Sequence, residues 1–211
     1  MKKPELLMDN LEEALFLEGL QSDEPMLESI HVRDDVVRHL TLGKLIMDKS
    51  MITESILQSN DFSKAELTDC IFSHCDLSNT NLSGAILYRC EFVNCKMVGT
   101  IFADAYLNHV LFKSCHMEMV NFTNGNLKFV RVAECNLTNA DMIDCQLKNF
   151  QINHTNLQNI NLIGTLLKQV DISTCDFTQL VVSPKTIEHC LVNEQQAIGF
   201  AKGLLKVKIA T

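Results

Sequence analysis

No stretch of this 211-residue chain approaches the ~20 apolar residues that a membrane-spanning helix needs, so no membrane partner is expected. Two lysines open the chain in MKKPELLMDN, yet no apolar run of signal-peptide length follows them, and the expected location is the cytoplasm. A phosphate-cradling glycine motif is missing. So is any Ser/His/Asp or Cys/His set with the spacing of a catalytic triad, and the expectation is a protein that is not an enzyme and needs no cofactor. Positive charge is short as well: 18 Lys and Arg stand against 26 Asp and Glu, net −8. That balance argues against a surface that grips nucleic-acid phosphates directly.

What the chain does have is nine cysteines, which without an export signal read as reduced thiols. All nine, Cys70, Cys75, Cys90, Cys95, Cys115, Cys135, Cys145, Cys175 and Cys190, fall at multiples of five. Chance agreement of nine residues among five phases has odds of roughly one in 400,000, so a repeat is present. The large apolar residues keep the same period: every fifth residue from Leu27 to Val182 is apolar without exception. Two positions before each of these centres lies a smaller residue, as in Ala65, Thr80, Ala85 and Ala105, and this is the slot of every cysteine.

Period five suits neither regular element. On a helix each step would advance ~140° and smear the apolar set around the cylinder, and on a strand alternate centres would change face. The chain must therefore turn once per repeat, winding into a solenoid with the large and the small residue both inward. Asp, Asn and Ser flanking the centres supply side-chain hydrogen bonds suited to tight corners.

Segments such as CDLSNTNLSG and CNLTNADMID resemble the pentapeptide-repeat family, whose motif places an apolar centre two residues after a small one. The resemblance implies an all-β solenoid, a right-handed quadrilateral parallel β-helix with four repeats and twenty residues per coil. The centres from Leu27 to Val182 would then make eight coils, a rod of roughly 38 Å at the parallel-strand spacing. Read modulo twenty, Leu67, Leu87, Leu107, Leu127, Leu147 and Leu167 form one column. Phe72, Phe92 and Phe112 form another, Phe102 and Phe122 a third, and Cys75, Cys95, Cys115 and Cys135 a stack of small fillers. These residues are the expected core.

Both ends depart from the repeat, and an open β-helix needs its ends covered. Residues 1–26 are expected to cap one end, with DNLEEALFLEGL as a short helix started by Asp9 or Asn10 and burying Leu11, Ala14, Leu15 and Leu17. Residues 27–184 are the repeat region, closed by Pro184. In residues 185–211, Asn193 and Gln196 form a capping box for a helix, and a strand over Lys206 to Ile209 would follow. The tail NEQQAIGFAKGLL and the internal FADAYL are similar to the Qnr-type subgroup of quinolone-resistance proteins, which bind type II DNA topoisomerases. That resemblance implies a homodimer joined by Ala197, Ile198, Phe200, Ala201, Leu204 and Leu205; capping of the monomer's own coil is the alternative. Several Qnr-type proteins carry loops that interrupt the coil; the phase runs unbroken here, so any such loop is absent or a multiple of five residues long.

Cys70, Cys75, Cys90 and Cys95 have a spacing that passes for a four-thiolate zinc site, but the repeat accounts for it without metal. Disulfides between stacked cysteines are also disfavoured, because in-register side chains lie ~4.8 Å apart at Cβ. The seven histidines read as surface groups. For partners, the resemblance implies DNA gyrase or topoisomerase IV, bound by a rod whose carboxylates mimic DNA phosphates and thereby modulating quinolone susceptibility. The candidate contact residues are Asp61, Glu66, Asp69, Asp76, Asp104, Tyr106, Asp141, Asp144, Asp171 and Asp176. A β-helical scaffold for another protein partner is the alternative, supported equally by the repeat.

Overall fold

The computed structural model describes residues 1–6, 8–20 and 25–208. The chain winds into a parallel β-solenoid whose neighbouring coils are in register at twenty residues, so that Leu67 pairs with Leu87 and Leu107 with Leu127. Three-residue strands stack into an eight-stranded and a seven-stranded sheet on two sides. The other two sides are joined by isolated parallel bridges, such as Asn81 to Ile101 and Asp76 to Lys96. The centres point inward and are almost all buried, with Leu147 partly covered. Aromatic columns stack face to face, Phe92 on Phe112 at 5.1 Å and Phe102 on Phe122 at 5.2 Å between centroids. Such offset pairs add stabilisation beyond the apolar area they bury.

The corner is a left-handed backbone residue. Positive φ recurs every fifth position from Ser29 to Gln169 and is missed only at Lys44. Asn, Asp, His and Ser hold most of these corners, since their short polar side chains tolerate that conformation best after glycine. Bulkier Met119 and Phe129 adopt it too.

The small slot does more than save space. The Cys70 thiol donates to the carbonyl of Met47, Cys90 to Leu67 and Cys95 to Phe72, and the hydroxyls of Thr80 and Thr100 do the same to Leu57 and Leu77. Thiol and hydroxyl are interchangeable there because each supplies a donor to an inward-facing carbonyl and uses its second lone pair; the Leu77 carbonyl, for one, also accepts the N–H of Thr80.

The ends differ from the sequence expectation. Instead of an α-helix, the N-terminal segment makes single 3-10 turns at Met8–Asn10 and Glu18–Leu20, and Glu12–Glu13 pairs in parallel with Ile30 and His31. This strand continues the winding with an 18-residue step and so satisfies the sheet edge that a helix would only have covered. Phe16, outside the predicted apolar stripe, is the plug: it is fully buried and stacked on Phe62 at 5.7 Å, while Leu15 and Leu17 stay exposed. At the other end the coil runs past Pro184, since Asp171 still bridges Leu191. The helix α1, Glu194–Gly203, then begins with the Asn193/Gln196 capping box, and Gln196 also donates to the carbonyls of Ile172 and Cys175. No strand forms over 206–208, and Ile209 lies outside the described residues.

Regular strands stop at Asn153, leaving about seven turns rather than eight with sheet structure. The reason lies in Phe150, an aromatic in the small slot. Its volume is taken up by separation of the next coil: the amides of Asn149, Leu166 and Asp171 find no backbone acceptor, whereas those of Phe129, Gln146 and Gln151, their equivalents one coil earlier, do.

Candidate partner-binding surfaces

Each repeat exposes three residues around its buried centre, so every side of the rod shows three outward columns. The structure distributes the ten candidate contact residues over all four sides. Asp61, Asp104, Asp141 and Asp144 share the first side, Glu66, Asp69 and Tyr106 the second, Asp171 the third, and Asp76 and Asp176 the fourth. Only the first group makes a continuous surface. From Asn81 to Gly164 that side carries Asp104, Asp141 and Asp144 and no lysine or arginine. One of its columns is a ladder of Asp and Asn, interrupted by Ile101, in which Asn81 donates to Asp61 and Asn161 to Asp141.

On the other sides Glu66 and Asp76 are neutralised. Glu66 meets Lys44 at 2.7 Å, and Asp76 meets Lys96 at 3.4 Å and accepts from Gln58. Asp69 is not a surface carboxylate at all: at 1% exposure it accepts both Nε (2.6 Å) and Nη2 (2.5 Å) of Arg89 and the backbone N–H of Glu5. Burial by itself would raise its pKa, but these donors outweigh it and hold the carboxyl below the usual range. Arg89 also reaches Glu5 and covers the ring of Tyr88. Sequence reasoning had no role for Arg89, although its twenty-residue offset from Asp69 was the available signal.

This cluster anchors an N-terminal arm that runs up the outside of the rod. Glu5 sits at Asp69, and the N–H of Lys2 donates to Nδ1 of His109 two coils on, at 2.9 Å. The His109 pKa is lowered, first by burial and then by the surrounding positive charges, among them Lys2, Lys128 and Arg89. His109 is therefore a neutral acceptor at pH 7.

Tyr106 is 36% exposed and lies directly above Ile86 in the sheet, itself 47% exposed. These two form an apolar edge beside the cation-free side, which itself carries the exposed Ile101.

At the C-terminal end, Phe200 packs on Phe177 (5.8 Å) and so covers the last coil, while Ala197, Ile198 and Leu205 face outward. Ala201 and Leu204 are half-buried and line, with Pro184, Ile187, Phe200 and Leu205, a shallow apolar groove of about 340 Å³. A second groove of about 370 Å³, lined by Phe177, Leu180, Val182 and Leu204, separates α1 from the coil.

The model of the pentapeptide repeat region matches residues 65–142, and that of pentapeptide repeats in eight copies matches 140–179, together just over half the chain. The chain belongs to the pentapeptide-repeat family. No curated protein matches it at a significant level. Among solved structures, this pentapeptide-repeat rod is similar to a trypsin-treated variant of QnrB1, a plasmid-mediated fluoroquinolone resistance protein. The two are 14% identical over 89% of this chain and 98% of the other, with a TM-score of 0.42. Full-length QnrB1 aligns at 16% identity over 89% of this chain and 92% of its own, TM-score 0.34. HetL from the cyanobacterium Nostoc, involved in heterocyst differentiation regulation, aligns at 15% over 85% and 94%, TM-score 0.37.

As a family member with this fold, the chain is a repeat scaffold. Its thiols follow the repeat, with Cys70 stacked on Cys90 in one column and Cys75 on Cys95 in another, so the four do not converge on one point. Among the described residues no group of three His, Cys, Asp or Glu is placed to hold a metal ion, and no helix is long and apolar enough to cross a membrane.

Proposed function

We propose that this protein is a non-catalytic binding rod for a type II DNA topoisomerase, gyrase or topoisomerase IV, that it modulates quinolone action, and that it works as a homodimer joined through α1. The observation that carries the reading is the side without lysine or arginine from Asn81 to Gly164, which carries the exposed Ile101 and is bordered by the exposed Ile86 and Tyr106. Magnitudes decide how such a surface would act. The side extends over four coil steps, roughly 19 Å, with three carboxylates, where duplex DNA of the same length carries about eleven charges. Charge mimicry is thus sparse, and binding rests on the rod's width and on the apolar edge as much as on carboxylates.

The test is gyrase supercoiling and topoisomerase IV decatenation with and without a fluoroquinolone. Wild-type protein is expected to alter activity or drug-stabilised cleavage, and replacing Asp104, Asp141 and Asp144 by Asn together with Tyr106→Ala is expected to abolish the effect. Salt dependence separates the mechanisms: three carboxylates predict a log–log slope of about −3 or shallower. No effect of the wild type on either enzyme removes the topoisomerase reading and leaves a scaffold for another protein, which capture from a bacterial lysate would then identify.

A further inference from the structure

The opposite electrostatic sign is concentrated at one place on this anionic rod. Along the corner between the second and third sides, Lys128, Lys148 and Lys168 occupy one column on successive repeats, and Arg131 stands across the corner from Lys128. Lys128 and Lys148 are direct register partners in adjacent strands. Like charges placed so repel and cost stability. Elsewhere the rod pairs unlike charges between neighbouring coils, as in Arg89 with Asp69 and Lys96 with Asp76, yet among the described residues none of these four cations has a carboxylate within ion-pair distance.

A second, independent feature lies at the same corner. Phe129 holds the left-handed conformation, φ 53°, in a slot filled mostly by small polar residues, and its ring stacks on His109 at 4.6 Å. The conformation is shared by the corners of the whole rod; what sets position 129 apart is a large aromatic where small polar residues are usual. Beside the ring a groove of about 240 Å³ is lined by Met1, Phe129, Val130, Arg131, Asn149 and Gln151. The N-terminal arm brings Lys2 to this corner as well, and the lowered His109 pKa described above reflects the same positive surroundings.

We infer that this corner, from Lys128 to Lys168, is a docking surface for an extended acidic segment of a partner protein. The lysine column spans two coil steps, about 10 Å, the reach of some three residues of extended chain. That is a match for a short run of Asp or Glu with an apolar residue against Phe129. A nucleic acid fits worse: four cations neutralise few phosphates, and the rest of residues 27–184, with 17 acids against 8 other bases, repels the remainder of a long polyanion. The inference concerns a different side from the cation-free surface and does not depend on it.

The test uses the full chain and a fluorescein-labelled decaglutamate peptide followed by anisotropy at low salt. Wild-type protein should bind it, and Lys128→Ala/Lys148→Ala/Lys168→Ala should weaken binding at least about tenfold. Lys64→Ala/Lys202→Ala, on other parts of the molecule, should not. Relief of repulsion means that the triple variant should melt at or above the wild-type temperature; if it fails to fold, the single Lys148→Glu replaces it with the same expectation for binding. Absence of wild-type binding, equal binding by the variant, or tighter binding of a single-stranded oligonucleotide of equal charge overturns the inference. So does sedimentation showing that the lysine column is already occupied by a second copy of the chain.

Discussion

At every fifth residue the backbone passes through a conformation that L-amino acids avoid, and the identity of the side chain there sets a local energy. Met119, more than half exposed, gains nothing from packing in return. Met119→Asn is therefore expected to stabilise the protein by about 0.5–1 kcal/mol in urea melts, because Asn enters the left-handed region at lower cost. The Arg89–Asp69 pair works in the other direction. Removing the guanidinium leaves a buried carboxylate with one N–H donor, and Arg89→Ala should cost about 3 kcal/mol. Since the Asp69 pKa is depressed on folding, its stabilisation is complete above the unfolded value of about 3.9 and disappears as pH falls through the folded one. The stability gap between wild type and Asp69→Asn should accordingly narrow between pH 5 and pH 3, to be read in urea melts. The thiols mark a third kind of residue: burial pushes Cys145 and Cys190 up to about 11 and raises Cys175 as well. Alkylation at pH 8 should be slow at all nine, with Cys190, the one that is not fully buried, reacting first.

At the scale of the element, what matters is how one coil meets the next. A leucine in the pure column, such as Leu127, sits between identical neighbours with no room to collapse, so Leu127→Ala should cost about 2–5 kcal/mol by denaturant unfolding. Where Phe150 breaks the ladder, hydrogen exchange should find Asn149, Leu166 and Asp171 much less protected than Phe129, Gln146 and Gln151. These elements also show what could be read in advance. The period-five centres, the small slot and the capping box at Asn193 were legible because each is a local pattern repeated or matched to one backbone geometry. The N-terminal segment was misread because its apolar residues satisfy helical spacing equally well, whereas its conformation is decided by an unpaired strand edge that only exists once the rod is formed. The break at Phe150 was visible as an odd residue in a regular slot, but its consequence depends on the space available in the next coil. The cation-free side emerged only after wrapping the chain at twenty residues, which sorts acids that look evenly spread in sequence onto different sides.

For the whole molecule, the end bearing α1 governs assembly. Phe200 is committed to covering Phe177, whereas Ile198 and Leu205, 67% exposed in the latter case, stay open to solvent. If two copies join there, light scattering should give twice the 23.8 kDa chain mass and Leu205→Glu should return it to one. A single mass for the wild type would confine α1 to covering its own coil.

The constant twenty-residue register carries a consequence for how such a chain can change length. Excising Glu91 to Val110 would join Cys90 directly to Leu111 at equivalent points of successive windings, so the shortened product should retain the cross-section of its parent and simply be less tall. Removal of any number not divisible by five would instead turn buried positions outward along everything downstream. Growth and trimming by whole windings is thus the mutational step that the architecture tolerates, and the distance between its two capped ends is a quantity that heredity can adjust like the count of rungs on a ladder.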